Sequence, residues 1–323
     1  MPTPSALPRR ISIDQIARAA REIDPVFLNS PLFASEALGT RCGAQVLLKD
    51  ESANPIRSFK GRGADFFVRT LSSPPARVVC ASAGNFGQGL AYAAVGRGIA
   101  CDVFAATTAN PLKVDRMRAL GAMVQLAGAD FDAAKDAARE YAELVGAPFI
   151  EDGREVTISE GAGSLGVELT SGPGSLDAVV VALGNGALLG GIATWIKYAS
   201  PGTRVIGVCA DGADAMERSW RTHSIISTTE ARTIADGIAV RVPIPEAIDD
   251  LHGVVDDIVL VSDEDILAAM RFMYREHGIG LEPAGAVGVA ALMQRPEEFR
   301  GGTVATILCG ANVTPEQHRR WFG

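Results

Sequence analysis

Apolar residues along this chain recur at two different periods. Ile13, Ile16, Ala17, Ala20 and Ile23 follow helical spacing behind Ser12, and Gln15 stands three residues after that serine. The pattern predicts a first helix opened by a capping box. Residues 1–10, polar and Pro-rich, read as a tail. Beyond this helix, short continuous apolar runs at 46–49, 77–81, 102–105, 123–126, 178–183, 205–209 and 304–309 predict strands. Stretches of helical period at 61–72, 85–97, 111–120, 131–145, 187–199 and 263–276 lie between them. Strands that are apolar throughout and alternate with helices belong to parallel sheets covered on both faces. The expected fold class is therefore α/β, with two open, mostly parallel sheets. We expect residues 1–75 and 153–323 to form a large domain and 76–152 a small mobile one, with the active site in the cleft between them.

Length supports that division, because 323 residues exceed the roughly 150 of a single domain. The net charge of −8 gives no electrostatic reason to bind nucleic acid or anionic lipid. No apolar run reaches the ~20 residues of a membrane span, and no apolar signal core precedes the first helix. Cys42, Cys80, Cys101, Cys209 and Cys309 are scattered and never form a CxxC pair, which argues for reduced thiols in the cytoplasm. Only five of the 30 basic residues are lysines (Lys49, Lys60, Lys113, Lys135 and Lys197), so few side chains can serve as a catalytic amine.

Glycines gather at three places where strands give way to helices. After the run 77–81 comes Ser82-Ala83-Gly84-Asn85-Phe86, which puts backbone N–H groups, a hydroxyl and an amide at a helix start. Such a start can seat a carboxylate, although an ordinary turn with a capping serine has the same sequence. After the run 178–183 comes Gly184-Asn185-Gly186-Ala187-Leu188, a candidate phosphate cradle made of backbone amides. With Gly190 and Asp211 the same segment also fits a dinucleotide fingerprint. The third place is Glu282-Pro283-Ala284-Gly285-Ala286; on its own, an acid there is simply a favourable helix-dipole partner. Lys60 opens the predicted helix 61–72, where the positive end of the dipole and partial burial favour the neutral amine that imine chemistry needs.

Taken together, these segments resemble the fold-type II pyridoxal 5′-phosphate (PLP) enzymes, in particular the threonine/serine dehydratase and serine racemase group. The resemblance rests on Asn54-Pro55-Ile56-Arg57-Ser58-Phe59-Lys60-Gly61-Arg62-Gly63-Ala64, Ser82-Ala83-Gly84-Asn85, Thr233-Ile234-Ala235-Asp236-Gly237-Ile238-Ala239-Val240, Glu282-Pro283-Ala284-Gly285-Ala286 and Cys309-Gly310-Ala311-Asn312-Val313. They occur in the family's order from about residue 25 to residue 315. The likeness implies a tryptophan-synthase β-like fold whose large domain binds PLP, with Lys60 as the Schiff-base lysine. Phe59 would pack on the ring, Asn85 would bond its 3′-oxygen, and Gly184, Asn185, Gly186, Ala187 and Leu188 would hold the phosphate. Gly237 and Glu282 would line the ring edge and Cys309 would face the pyridine nitrogen. Ser82, Ala83, Gly84, Asn85 and Phe86 would receive the substrate, with Lys60 and Ser82 as catalytic residues. The implied reaction is β-elimination from a threonine- or serine-type hydroxy amino acid, giving a 2-oxo acid and ammonia. The implied setting is a cytoplasmic homodimer whose other partner is its small amino-acid substrate.

Departures from the family pattern bear on the reaction. The usual four-glycine loop is Gly184-Asn185-Gly186-Ala187 here, and Phe86 replaces a common histidine. Ala83 stands where racemases of the group carry a serine, so Lys60 lacks a proton-carrying partner on the opposite face, which favours elimination. A neutral Cys309 at the ring nitrogen makes the ring a weaker electron sink, as elimination tolerates. The positions where some members bind a divalent cation are Cys209 and Ala215, with Asp211 and Asp214 nearby, and we expect no metal. The chain stops about ten residues after Asn312, so isoleucine feedback control is not expected. Four other readings remain: elimination or β-replacement on a bulkier 3-substituted amino acid (for which Arg57 and Phe86 are the hints), amino-acid racemisation, a nicotinamide oxidoreductase built on Gly184, Gly186, Gly190 and Asp211, and a non-catalytic PLP-binding or regulatory protein, against which intact Lys60, Ser82 and Asn85 argue.

Overall fold

The computed structural model describes residues 9–172 and 174–323; residues 1–8, most of the expected tail, lie outside them. Ten strands form two sheets. They are β1 (Leu32–Ala34), β2 (Gln45–Asp50), β3 (Arg77–Ala81), β4 (Ala100–Ala105), β5 (Met123–Leu126), β6 (Phe149–Ile150), β7 (Ala178–Ala182), β8 (Arg204–Ala210), β9 (Asp257–Val261) and β10 (Thr303–Leu308). One sheet has the order β1-β2-β10-β7-β8-β9 and the other β5-β4-β3-β6. Every pairing is parallel except the edge pair β1–β2. The α/β class with two open, mostly parallel sheets is as the apolar runs predict.

β7 is buried along its whole length, as expected of a central strand with helices on both faces. Its valines join Leu48, Ile206, Val208, Ile258, Ala305 and Ile307 in the larger core. Cys80, Leu90, Val103, Met117 and Phe86 form a separate core around the four-stranded sheet. All five cysteines are buried and unpaired, and no helix among the described residues is long and apolar enough to cross a membrane.

Three strands are missing from those predicted. β1 and β6 have three and two residues, too short for any period to register. β9 is apolar from Ile258 to Val261 and was legible, but it is not among the predicted strands. The first helix runs Ile13–Glu22, and Ser12 does accept from Gln15 N at 3.4 Å. The capping box is nevertheless only half made: Ser12 N donates to Glu160 Oε1 at 3.0 Å, and Gln15 Oε1 is buried without a partner. A carboxylate from a distant helix has taken the place of the local glutamine.

Small residues bring three helices into close contact. A Cβ on Gly63 would lie 2.6 Å from the Ile158 carbonyl, and one on Gly191 would lie 2.0 Å from that of Ser159. The helix Val156–Thr170 is thereby clamped between Lys60–Thr70 and Ala187–Ala199. Residues at the start of the outer two helices, Lys60 and the Gly184 loop, acquire fixed relative positions.

Candidate active site

Loops from both sheets converge where parallel strands end, the usual seat of ligands in open α/β sheets. The segment after β2 is tied down by Asn54. Its Nδ2 donates to the Glu51 and Ser58 carbonyls at 2.9 and 3.0 Å, and its Oδ1 accepts from Ile56 N and Ser58 N at 3.1 and 3.3 Å. Phe59 N donates to the Cys309 carbonyl at 3.1 Å and Ala311 N to the Arg57 carbonyl at 3.0 Å. Lys60 is thus stitched to the end of β10. Arg57, one of the hints of an altered pocket, is exposed and takes a left-handed φ of 53°.

Helix Lys60–Thr70 is anchored from beneath by Arg62, which is fully buried. Its guanidinium meets Glu51 at 2.8 Å and Glu168 at 2.6 Å. Desolvation opposes its charge, but the two carboxylates outweigh that and raise its pKa above the ordinary value. At the start of the same helix, Lys60 Nζ lies 4.8 Å from the Phe59 ring centroid and forms an ion pair with Asp152. Asp152 was not legible in the sequence: it lies 92 positions away, just past β6. The following glycine, Gly153, was the one local sign of a turn there.

The second loop follows β3. Ser82 Oγ accepts from Gly84 N at 3.2 Å and Gly87 N at 2.9 Å, bracing the start of helix Asn85–Val95. Among the described residues, the N–H groups of Ala83, Asn85 and Phe86 find no acceptor in the protein. Asn85 Nδ2 donates to Glu282 Oε1 at 2.5 Å, and its Oδ1 accepts from Asn312 Nδ2 at 2.7 Å. One Nδ2 hydrogen therefore stays uncommitted. Phe86 points into the core of the four-stranded sheet and is 7% exposed.

The third loop follows β7 and opens helix Ala187–Ala199, whose N-cap Gly186 has φ 94° and no side-chain cap. Among the described residues, the N–H groups of Gly184, Asn185, Gly186, Ala187, Leu188 and Leu189 all lack a protein acceptor. A Cβ on Gly184 would lie 3.0 Å from the Gly237 carbonyl, so the segment around Gly237 closes over the loop. Asp211, the acid of the alternative dinucleotide reading, is exposed in a 3-10 turn after β8.

Glu282 and Cys309 complete the site. Glu282 is the N-cap of helix Pro283–Gln294, yet its side chain makes no cap bond, so it is more than a dipole partner. Burial pushes its carboxyl up to about 7; Lys113 opposes that rise and Asp236 adds to it. Its Oε2 is buried without a partner. Cys309 lies one residue past β10, and burial foremost, with Glu282 and Glu51 adding to it, raises its thiol pKa. It is a neutral neighbour.

These features fit PLP. Six consecutive amides without acceptors at a helix start match a phosphate, and a lysine amine opens the neighbouring clamped helix. Comparison with known proteins agrees. The family model described as pyridoxal-phosphate dependent enzyme matches residues 23–310. L-threonine ammonia-lyase of Thermotoga maritima is 34% identical over 94% of this chain and 76% of its own length. A putative threonine dehydratase of Sinorhizobium fredii is 33% identical over 96% of this chain and 94% of its own. Among solved structures, the processed threonine deaminase isoform 2 of Solanum lycopersicum matches with a TM-score of 0.89 at 31% identity, covering 97% of this chain and 89% of that one. Maize serine racemase gives 0.90 at 26% identity, covering 96% of each chain. Fold, loops and relatives agree: the chain belongs to the pyridoxal-phosphate dependent enzymes, and its cofactor is pyridoxal 5′-phosphate.

Proposed function

We propose that this protein is an ammonia-lyase that eliminates the β-hydroxyl of threonine or serine and releases a 2-oxo acid and ammonia. The observation that carries this reading is the position of Lys60, the amine that opens a helix clamped to the Gly184 loop and stitched to the end of β10. Threonine ammonia-lyases and dehydratases at about 33% identity over most of the chain support the substrate class. We read 76–152 as a small mobile body closing on the rest of the chain, and the assembly as a cytoplasmic homodimer; sedimentation of the purified protein checks the latter.

The cofactor, when bound, supplies an electrophilic carbonyl for the amino group and a ring that withdraws electrons from Cα. The protein does the rest. The free N–H groups of Ala83, Asn85 and Phe86 hold the substrate carboxylate at a helix start. The amides of Gly184, Asn185, Gly186, Ala187 and Leu188 take the phosphate. Lys60 Nζ removes the Cα proton, and Asn85, Glu282 and Cys309 fix the ring. Ala83 carries no proton donor for the opposite face, which favours elimination over racemisation.

Purified protein should be yellow, and borohydride should fix the chromophore on Lys60. Threonine, serine, phenylserine and 3-hydroxyaspartate, scored by 2-oxo acid release, rank the substrates. A Lys60→Ala protein that kept both chromophore and lyase activity would overturn the reading.

A further inference from the structure

We propose that Asp152 is the positioning residue for the Lys60 amine. In this view its carboxylate fixes Nζ before the cofactor arrives and pairs the Lys60 ammonium whenever Lys60 takes up a proton. The inference rests on the reading of Lys60 as the base and adds to it the group that holds that base in place.

Geometry isolates the pair. The two side chains are 17% and 9% exposed, so the contact is largely desolvated. Asp152 Oδ1 is buried and makes no hydrogen bond, and Lys60 is the one cation bonded to this carboxylate among the described residues. The neighbouring acid takes a different set of cations: Glu151 pairs with Lys135, Arg139 and Arg154. Cations are thus plentiful one residue away, yet Asp152 is reserved for Lys60. A buried carboxylate with one compensating partner depends on that partner, and the partner is held by it in turn.

The backbone fixes the carboxylate as firmly as the lysine helix fixes the amine. Asp152 follows β6, which pairs with β3 through Phe149–Val79 and Ile150–Cys80. The next residue, Gly153, has φ 90° and packs so closely on the Gly184 loop that a Cβ there would lie 2.4 Å from the Asn185 carbonyl. Adjacent residues therefore set two distances at once: Gly153 abuts the loop proposed to hold the phosphate, and Asp152 holds the amine. A lysine on its flexible four-carbon stem would otherwise sample many positions, and ordering it costs conformational entropy at each encounter.

In turnover the Cα–H bond breaks and its electron pair forms the Cα–Cβ double bond as the Cβ–O bond breaks; the hydroxyl leaves with that bond's electrons and takes up a proton to become water, and the Cα proton forms a new N–H bond on Lys60. The positive charge created at Nζ then faces Asp152. No bond to Asp152 is made or broken.

Asp152→Asn in the full-length protein tests this. Cofactor-free protein is mixed with PLP, capture is followed by the bound chromophore, and the product is fixed with borohydride. kcat on threonine should fall about tenfold or more with KM within about twofold, because the ammonium formed at Nζ loses its charge-assisted hydrogen bond, and capture should slow because the amine is no longer held in place. Asp152→Glu should restore part of both. If Asp152→Asn does not fold, capture by Asp152→Glu decides: it should be slower than wild type because the carboxylate is displaced. Wild-type capture and wild-type kcat per bound cofactor in the folded variant, with only thermal stability lowered, would make the pair merely structural and end the proposal. The two readings fail separately: a wild-type protein that turns over no hydroxy amino acid sinks the lyase function, while PLP capture still decides the role of Asp152.

Discussion

Lys113 Nζ lies 2.5 Å from Asp236 Oδ2, an ion pair that joins helix Pro111–Ala119, beside the four-stranded sheet, to the segment that closes over the Gly184 loop. The lysine is almost buried and the aspartate mostly exposed, at 8% and 63%. Lys113 also lies near Gly84, at 3.9 Å from where a Cβ would stand, and its charge holds down the pKa of Glu282.

Replacing Lys113 by methionine therefore removes a cation from two anionic neighbourhoods. The titration midpoint of Glu282 should move above 7. KM for the amino acid should rise about tenfold, equivalent to ~1.4 kcal/mol, with a smaller change in kcat. Steady-state kinetics on threonine measure both constants; an unchanged KM would show that Lys113 does not serve the proposed carboxylate seat.

Glu282 makes stability depend on pH in a definite direction. Its folded pKa of about 7 lies above the unfolded 4.5, so the native state binds the proton more tightly. Its contribution is complete below the unfolded value and is lost as pH rises through about 7. Glu282→Gln should thus gain on wild type by about 3 kcal/mol across that window. Urea unfolding at several pH values measures the gap, and a gap independent of pH would refute the assignment.

Arg62 holds up the Lys60 helix. Arg62→Met leaves the buried Glu51 without a cation, while Glu168 keeps its pair with Lys49, and unpairing a buried charge costs about 3–5 kcal/mol. Arg62→Lys keeps the charge but loses the fork that reaches both acids, so it should also destabilise, by less. Thermal unfolding of both variants checks the order.

Gly186→Ala puts a side chain where φ is 94° and within 3.1 Å of the Ala247 Cβ. Left-handed backbone costs an L-residue roughly 1–2 kcal/mol, and the amides of the loop must shift to relieve it. PLP should bind about tenfold more weakly, a loss of ~1.4 kcal/mol, and dialysis against dilute cofactor reads the difference.

Much of this protein was legible because its signals are local. The apolar runs gave the central strands, since a parallel strand buried on both faces has few polar positions to confuse it. β1 and β6 were invisible because two or three residues cannot show a period. Ser82, Asn85 and Gly184–Leu188 stand beside strand ends, where turn geometry dictates residue type, Lys60 opens a helix, and the resemblance gave them roles. Phe86 shows the limit of that route: it sits in the named loop, but its ring belongs to the core behind it.

By itself the sequence determined the α/β class, the three glycine-rich helix starts and Lys60 at the opening of a further helix. All of these depend on residues within a turn or two of each other. Tertiary structure alone decided that Asp152 meets Lys60, that Glu282 bonds Asn85 rather than capping its own helix, and that Glu160 takes the N–H of Ser12. These partners lie 92, 197 and 148 positions apart. Such pairs are set by where the ends of packed strands and helices arrive, and the periodicity of a chain says nothing about that.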